Sequence, residues 1–283
     1  MEDKAIKLIR DYCHPNESVV MFSGGKDSLV VMDLAKKAGI DKAVYVKSPL
    51  EYNQTIKYVE TFKNVEIIGF EKDFFEMCRK LCIPSRRMKW CCTVYKLTPI
   101  AIYNRKNKIK YNIRGVRRGE SIKRQDYVEV GDNEFNWITI DPILDWSDKD
   151  VWRYIRKYNL STNPLYQLMN RVGCWCCPFN SKKDWGAARD MMPNEYQQFK
   201  DLILEFSRDV GEDYKRNYIK GGWSGWAYKT KIEPVATLIE NADMIKVEKK
   251  LNCIGCGACR VFKKIRMGCI ARNYNRKRKV ALL

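Results

Sequence analysis

The stretch SGGKDS, Ser23–Ser28, decides the fold of this chain. The apolar, partly β-branched run Ser18–Phe22 before it has the length and composition of a buried strand. Residues 29–38 after it carry apolar side chains at helical spacing, and Gly39 is a typical helix end. The stretch is therefore expected to form a tight turn between a strand and the N-terminus of a helix.

A turn of this kind suits a phosphate group, because backbone N–H groups and the positive end of the helix dipole point at one place. Glycines let the backbone approach a ligand, and Lys26 adds a positive charge. Asp27 beside a phosphate would hold Mg²⁺ or cap the turn. The residues expected to bind the phosphates are Ser23, Gly24, Gly25, Lys26, Asp27 and Ser28.

The rest of the first 190 residues alternates strand and helix patterns. Further strands are predicted at residues 42–46, 65–70, 110–114 and 137–140, and helices at residues 1–13, 52–62 and 94–105 and after the capping residue Ser147. This order predicts an α/β fold with a Rossmann-like, parallel five-stranded sheet and helices on both faces. Ligands bind such sheets at the carboxyl ends of the strands, where the turn lies.

Composition limits the partners and the chemistry. The net charge of +19 over 283 residues favours an anionic partner such as nucleic acid or small anionic substrates. No stretch is long and apolar enough to span a membrane, and the N-terminus lacks the apolar core of a signal peptide, so we expect a cytoplasmic protein without membrane contact. Twelve cysteines there favour metal or redox chemistry over disulfides. Because His14 is the only histidine, a metal site would be mostly thiolate, which favours iron–sulfur or zinc.

Ordered motifs along the chain resemble a known family. SGGKDS differs from the GxxxxGK[ST] phosphate loop and is the signature of the ATP pyrophosphatases. RxxESxxR at 117–124, PIxDW at 142–146, DVW at 150–152 and NPLY at 163–166 follow in the order of the phosphoadenylyl-sulfate (PAPS) reductase branch of that superfamily. The resemblance covers roughly residues 15–190. It implies that the turn holds the β- and γ-phosphates of ATP, with Mg²⁺, and that pyrophosphate leaves while a substrate is adenylated.

The resemblance also implies further site residues. Beyond the turn, the expected cofactor-binding residues are Arg117, Glu120, Ser121 and Arg124, whose arginines would clamp anionic groups. Paired cysteines with a distant CxxC resemble the adenylyl-sulfate (APS) reductases, which hold one [4Fe-4S] cluster beside the nucleotide site. The corresponding ligands here are Cys91, Cys92, Cys174 and Cys177. Cys176 is a surplus thiol that could replace a neighbouring cysteine as a ligand or stay free near the site, and we predict it to be catalytic together with Lys26 and Asp27.

The tail carries a second cysteine pattern. Cys253, Cys256 and Cys259 are spaced as C-x₂-C-x₂-C, the bacterial ferredoxin half-motif, and Cys269 is expected to complete a second [4Fe-4S] cluster. A partner chain or substrate could supply that fourth ligand instead, and zinc is the alternative to iron. We divide the chain into a PAPS reductase-like ATP pyrophosphatase domain, residues 1–190, a helical extension and linker, 191–243, and a small basic iron–sulfur module, 244–283.

The predicted function is an ATP-dependent, AMP- and pyrophosphate-forming iron–sulfur sulfurtransferase of thiolation type that acts on nucleic acid, tRNA or DNA, with a sulfur-donor or electron-donor protein as partner. An assimilatory APS/PAPS reductase, which releases sulfite from a sulfonucleotide, is the first alternative. It carries a catalytic cysteine in a Glu-Cys-Gly-[Leu/Ile]-His segment, which this sequence does not contain, and an ATP-type loop serves a pyrophosphate that sulfonucleotides lack. A non-catalytic nucleotide or redox sensor is the second alternative.

The tail generates a prediction about nucleic-acid binding. From residue 244 onward, twelve basic residues stand against one acid, Glu248, so a net +11 of the +19 lies there. Replacing Arg276, Lys277, Arg278 and Lys279 with Ala should weaken binding to tRNA or duplex DNA and flatten its salt dependence. On duplex, the logarithm of the binding constant falls with the logarithm of the salt concentration, with a slope of about 0.9 per phosphate contact. Filter binding across a salt series measures both, with ATP binding as the control. An unchanged slope would contradict the prediction.

Overall fold

The computed structural model describes residues 1–81, 83–84, 89–132 and 137–207. The linker beyond residue 207 and the predicted iron–sulfur module lie outside these described residues. So do the predicted ligands of the second cluster, Cys253, Cys256, Cys259 and Cys269. The predicted domain boundaries therefore stay predictions.

One sheet organises the first part of the chain. Its strands are β1 Ser18–Phe22, β2 Ala43–Lys47, β3 Val65–Gly69, β4 Tyr111–Ile113, β5 Val130–Asp132 and β6 Ile138–Ile140. In the described residues they form a six-stranded sheet in the order β3-β2-β1-β4-β6-β5. All neighbours pair in parallel except β5, which runs antiparallel to β6. Since β1, β4 and β6 are parallel neighbours, their carboxyl ends lie side by side.

The observed sheet confirms the α/β class and the five predicted strands, and it differs from the expectation at one edge. The sixth strand, β5, is three residues long and contains Gly131. β4 and β6 are equally short, but β5 consists of Val130, Gly131 and Asp132, and glycine and aspartate are depleted in strands. The expected five-stranded parallel sheet therefore has an additional antiparallel edge strand.

Helices connect and cover the strands. In chain order the described helices are α1 Glu2–Tyr12, α2 Lys26–Lys37, α3 Asn53–Val59, α4 Phe74–Leu81, α5 Trp90–Cys92, α6 Thr98–Lys106, α7 Asp148–Lys157, α8 Lys182–Met191 and α9 Pro193–Ser207. A π-helical turn, Thr93–Leu97, joins α5 to α6. None of the described helices combines the length and the hydrophobicity needed to cross a bilayer.

The alternation of β1 explains why helices are needed on both sides of the sheet. Val20 and Phe22 pack into a large core with residues of α1, α2 and α7. Val19 points to the other face, where it packs with Val44, Tyr103 of α6 and Ile109. Because successive strand residues face opposite sides, an apolar strand such as β1 is stable only when both faces are covered.

The chain divides into two compact units. The first comprises Met1–Lys47, Glu51–Gly69 and Pro99–Gly173, and it contains the sheet and the SGGKDS turn. The second comprises Ser48–Leu50, Phe70–Thr98 and the chain from Cys174 onward. Its described residues include α4, α5, α8 and α9.

Candidate functional site

The SGGKDS turn adopts the strand–turn–helix geometry that the sequence predicts. β1 ends at Phe22 and α2 begins at Lys26, with Gly25 as its N-cap. Gly24 has φ +73°, in the left-handed region that favours glycine, and a Cβ there would lie 2.9 Å from Thr55 Cγ2. The turn therefore depends on glycine at this position, and the first backbone N–H groups of α2 lie where an anion would bind.

Two serines hold the turn in shape. Ser28 Oγ donates to the Gly25 carbonyl oxygen at 2.9 Å and accepts from the Ser23 N–H at 3.1 Å. The hydroxyl groups of Ser23 and Ser28 are also within hydrogen-bond distance, at 3.0 Å. Because these hydrogen bonds link the start of the turn to the first turn of α2, the serines stiffen the loop.

Four charged side chains meet at the turn, and we call them the charge ring: Lys26, Asp27, Arg117 and Asp148. Lys26 Nζ lies 2.8 Å from Asp27 Oδ2 and 2.8 Å from Asp148 Oδ1. Arg117 completes the ring, because its Nε contacts Asp27 Oδ1 at 2.5 Å and its Nη2 contacts Asp148 Oδ1 at 2.9 Å. Each carboxylate thus bridges both cations.

The sheet topology explains why these four residues meet. Asp27 and Lys26 follow β1, Arg117 follows β4, and Asp148 follows β6 at the start of α7. β1, β4 and β6 are parallel neighbours, so the segments that leave their carboxyl ends emerge at the same edge. Partial burial opposes ionisation of Asp148, but the contacts with Lys26 and Arg117 hold its pKa below the usual carboxyl value.

The segment that contains NPLY supports the turn from another direction. Asn163 Nδ2 donates to the Gly24 carbonyl oxygen at 3.2 Å and to Thr55 Oγ1 at 3.1 Å. The Tyr166 hydroxyl accepts from the Lys26 backbone N–H at 2.8 Å. Tyr166 therefore occupies one of the N–H donors at the start of α2, and burial raises its own pKa above the usual phenol value.

The remaining residues of the predicted RxxESxxR site form a local structure beside Arg117. Glu120 accepts from the Arg117 backbone N–H at 3.1 Å and contacts Arg124 Nη1. Ser121 is exposed and separates two short 3₁₀ turns, Arg118–Glu120 and Ile122–Arg124. The structure thus brings Arg117 into the charge ring, whereas Glu120 and Arg124 pair with each other.

The second unit contains the cysteines predicted to hold the first cluster. Cys91 and Cys92 lie in α5, ahead of the π-helical turn. The CxxC segment makes a tight turn, in which the Cys177 N–H donates to the Cys174 carbonyl oxygen at 3.2 Å. Asn180 Nδ2 donates to the carbonyl oxygens of Cys174 and Trp175, at 3.2 Å each.

These thiols are close enough to influence one another. The pKa of Cys91 is raised well above the ordinary thiol value by its hydrogen bond with Cys92, by burial, and by the neighbouring Cys176 and Cys174. In the described residues, no group of three or more Cys, His, Asp or Glu side chains is arranged to hold a metal ion. The chemistry of the donors nevertheless fits a thiolate-bound group, since a bound cation would relieve the repulsion between neighbouring thiolates.

Cys176 differs from its neighbours in burial. It is 2% exposed, and burial raises its pKa well above the ordinary thiol value. Cys92 is exposed, and Cys174 and Cys177 are half-buried. The prediction that Cys176 is catalytic stays a prediction.

An aromatic shell surrounds this part of the second unit. Phe74 lies at its centre, with ring centroids 5.9 Å from Trp90, 6.3 Å from Trp175 and 5.6 Å from Phe199. Trp90 precedes Cys91 and Trp175 precedes Cys176, so both cysteine segments are anchored in one apolar cluster. Such surroundings limit solvent access to a bound group.

Sequence reasoning missed three residues that support the turn: Asp148, Asn163 and Tyr166. Asn163 and Tyr166 were identified only as part of the NPLY motif, and Asp148 was given no role. The order of the motifs does not show which residues are in contact in the fold. Tyr166, for example, lies 140 residues from Lys26 in the chain.

A family model matches more than half of the chain. Residues 17–180 match the phosphoadenosine phosphosulfate reductase domain. The chain belongs to this family. The family match covers the charge ring and the CxxC segment, and it confirms the resemblance drawn from the motifs. The predicted ferredoxin-like segment lies beyond the matched residues.

Curated relatives of this family member include two uncharacterized proteins of Methanocaldococcus jannaschii. One is 30% identical over 256 residues, covering 86% of this chain and 61% of the relative, and the other is 30% identical over 243 residues, covering 81% and 50%. The chain thus spans little more than half the length of these relatives. An adenosine 5′-phosphosulfate reductase of Lysinibacillus sphaericus is 29% identical over 177 residues, covering 57% of this chain and 73% of the enzyme.

A solved structure shares the fold of this family member. The phosphoadenylyl-sulfate (PAPS) reductase from Candida auris, in a phosphate complex, aligns with a TM-score of 0.50 and 17% identity. The alignment covers 62% of this chain and 89% of that enzyme. At this identity, the likeness shows the fold alone.

Gly115 provides a test of how tightly the turn is built. A Cβ there would lie 2.6 Å from the Asp27 carbonyl carbon and 2.6 Å from the Ser28 nitrogen, which are backbone atoms of α2. Gly115→Ala should therefore displace α2 and cost about 1–3 kcal/mol of the free energy of unfolding. Gly119→Ala is the matched control, because a Cβ there meets nothing within 4 Å. Denaturant unfolding measures both, and equal stabilities would refute the close approach.

Proposed function

We propose that this chain is an ATP-dependent enzyme of thiolation type that forms AMP and pyrophosphate. One observation carries the proposal: the N-terminus of α2, the buried Lys26 and the buried Arg117 converge on the SGGKDS turn. Preorganised cations and backbone N–H groups at one place stabilise a polyphosphate and the charge that develops on pyrophosphate as it leaves.

The members of the site would have distinct roles. Lys26 and the backbone of Ser23–Ser28 would bind the β- and γ-phosphates, and Asp27 would lie near Mg²⁺, which prefers carboxylate oxygens. Arg117 would hold a phosphate oxygen with its planar guanidinium group. Tyr166 and Asn163 would keep the turn in place through their hydrogen bonds to Lys26 and Gly24.

The proposed reaction has two steps. An oxygen of the acceptor attacks the α-phosphorus of ATP, a P–O bond forms, and the bond between the α-phosphorus and the bridging oxygen breaks to release pyrophosphate. A hydrosulfide ion, delivered by a sulfur donor, then attacks the activated centre. AMP leaves with the electron pair of the oxygen bond, and sulfur replaces oxygen in the product.

Two cysteine sets would hold iron–sulfur clusters. Cys91, Cys92, Cys174 and Cys177 would hold the first, and Cys253, Cys256, Cys259 and Cys269 the second. A bound cluster would supply a redox-active centre at each set. The residues of the second unit would hold the first cluster in an apolar shell through Trp90 and Trp175.

Charge supports a nucleic-acid acceptor. The net charge of +19 exceeds what solubility requires, and its concentration in the tail suits a polyanion such as tRNA or DNA. A separate sulfur-donor or electron-donor protein completes the proposed system.

An APS reductase is the second candidate. The matches to adenosine 5′-phosphosulfate reductases at 26–35% identity favour it. A sulfonucleotide, however, offers the turn no β,γ-pyrophosphate, which leaves Lys26 and the start of α2 without their proposed ligand. Incubation of the anaerobically reconstituted protein with each nucleotide separates the candidates, because one forms AMP and pyrophosphate from ATP and the other forms sulfite from the sulfonucleotide.

The role of Lys26 gives the direct test of the ATP site. Lys26→Ala removes a contact with a charged phosphate, so Mg·ATP binding should weaken by about 1.5–3 kcal/mol, a factor of about 10 to 150. Lys36→Ala is the control, because Lys36 is an exposed residue of the last turn of the same helix. Calorimetric titration of both variants decides the matter. Equal affinities of Lys26→Ala and Lys36→Ala for Mg·ATP would mean that ATP does not bind at the SGGKDS turn.

Metal content tests the two cysteine sets. Anaerobically purified protein should contain about eight iron atoms per chain, four in each cluster. A Cys91→Ser variant should retain about four, whereas Cys13→Ala, outside both sets, should retain the full number. Iron analysis with absorption spectra measures this. Zinc in place of iron, or unchanged iron in Cys91→Ser, would contradict the assignment of the first set.

A further inference from the structure

The charge ring contains an acidic residue that the proposed chemistry does not use. A single oxygen of Asp148, Oδ1, contacts both cations: it lies 2.8 Å from Lys26 Nζ and 2.9 Å from Arg117 Nη2. A single oxygen between two cationic groups is the arrangement that a phosphate oxygen makes with lysine and arginine.

The members of the ring differ in burial. The side chains of Lys26 and Arg117 are 8% and 6% exposed, and Asp27 is 15% exposed. Asp148 is 59% exposed and is therefore the outer member of the ring. An anion that approaches from solvent would meet Asp148 before it reached the two cations.

The ring is also electrically balanced, with two cations and two carboxylates. A polyphosphate with several negative charges gains little from a neutral group of side chains. If Asp148 leaves the ring, one net positive charge remains beside the N-terminus of α2, where an anion is favoured.

Asp148 can leave without loss of its helix. The N-cap of α7 is Ser147, whose hydroxyl accepts from the Asp150 N–H at 3.2 Å, and the Asp150 carboxylate accepts from the Ser147 N–H at 2.9 Å. Asp148 takes no part in this capping box. Its carboxylate can turn toward solvent and still lie at the N-terminal end of α7, where negative charge is stabilising.

We propose that Asp148 is an intramolecular competitor for phosphate, which occupies the place of a phosphate oxygen on Lys26 and Arg117 and must leave before a polyphosphate binds. The inference rests on the proposed function of the SGGKDS turn. It makes Asp148 a specificity-determining residue. Weakly charged anions fail to displace the carboxylate, whereas a polyphosphate with several charges succeeds.

The test uses the whole protein and inorganic pyrophosphate as the probe, in a chelating buffer without divalent cations. Asp148→Asn keeps the shape of the side chain and removes its charge, and Asp148→Ala removes the group altogether. Both variants should bind pyrophosphate about tenfold more tightly than the native protein, the change expected for loss of one competing charged contact. Isothermal titration measures the affinity, and thermal unfolding verifies that the variants are folded.

A charge-matched control separates this effect from the general rise in positive charge. Asp11→Asn also removes one carboxylate from the first unit and breaks an ion pair, with Lys7 at 2.6 Å, but Asp11 lies in α1. Its pyrophosphate affinity should equal that of the native protein. An equal gain in Asp11→Asn and Asp148→Asn would attribute the effect to net charge and overturn the inference.

Lys26→Ala makes the two possible failures distinguishable. If pyrophosphate binds Lys26→Ala as tightly as the native protein, the turn is not the phosphate site and the proposed function fails. If Lys26→Ala loses affinity while Asp148→Asn and Asp148→Ala show unchanged or weaker binding, the proposed function stands and the competitor role of Asp148 is wrong. Weaker binding of pyrophosphate by the Asp148 variants would mean that the Asp148 carboxylate helps to hold Lys26 and Arg117 in place for the ligand.

Discussion

The pairing of two buried cations with shared carboxylates is the interaction on which the candidate site depends. Lys26 and Arg117 come from different strand ends, and each would carry a large desolvation cost if it were left without a partner. Asp27 bridges them and ties the β4 loop to the start of α2. The turn, the Gly115 contact and the hydrogen bond from Lys26 to Tyr166 are all arranged around this pair. A ligand must therefore replace carboxylate contacts rather than fill a vacant cationic site.

The sequence predicted the parts of this site that are encoded locally. A buried strand, two glycines and an amphipathic helix follow one another within about twenty residues, so β1, the turn and α2 were predicted with their bounds nearly correct. Ser147 was predicted as the cap of α7 for the same reason, and the structure confirms it as the N-cap. Asp148 was not recognised, because its contact with Arg117 joins residues 31 positions apart and requires the β4–β6 pairing. Edge strand β5 and helix α4 were also not predicted.

The cysteine segments show a different limit of sequence reasoning. The resemblance to the APS reductases grouped Cys91, Cys92, Cys174 and Cys177 as ligands of one cluster. The structure places these four in one unit, with mutual electrostatic influence between Cys91, Cys92 and Cys174. Spacing could not reveal that Cys176 is buried while Cys92 is exposed. The packing of Phe74 with Trp90 and Trp175 joins the two cysteine segments, which are distant in sequence, and spacing could not predict it either.

The account's central claim is that the SGGKDS turn and its charge ring form a polyphosphate site. The most direct measurement is a crystal structure of the protein with Mg²⁺ and a non-hydrolysable ATP analogue. The account predicts that the β- and γ-phosphates lie within hydrogen-bond distance of Lys26 Nζ and of the backbone N–H groups at the start of α2. A nucleotide bound with its phosphates away from the turn, while Lys26 and Arg117 keep their contacts with Asp27 and Asp148, would contradict it.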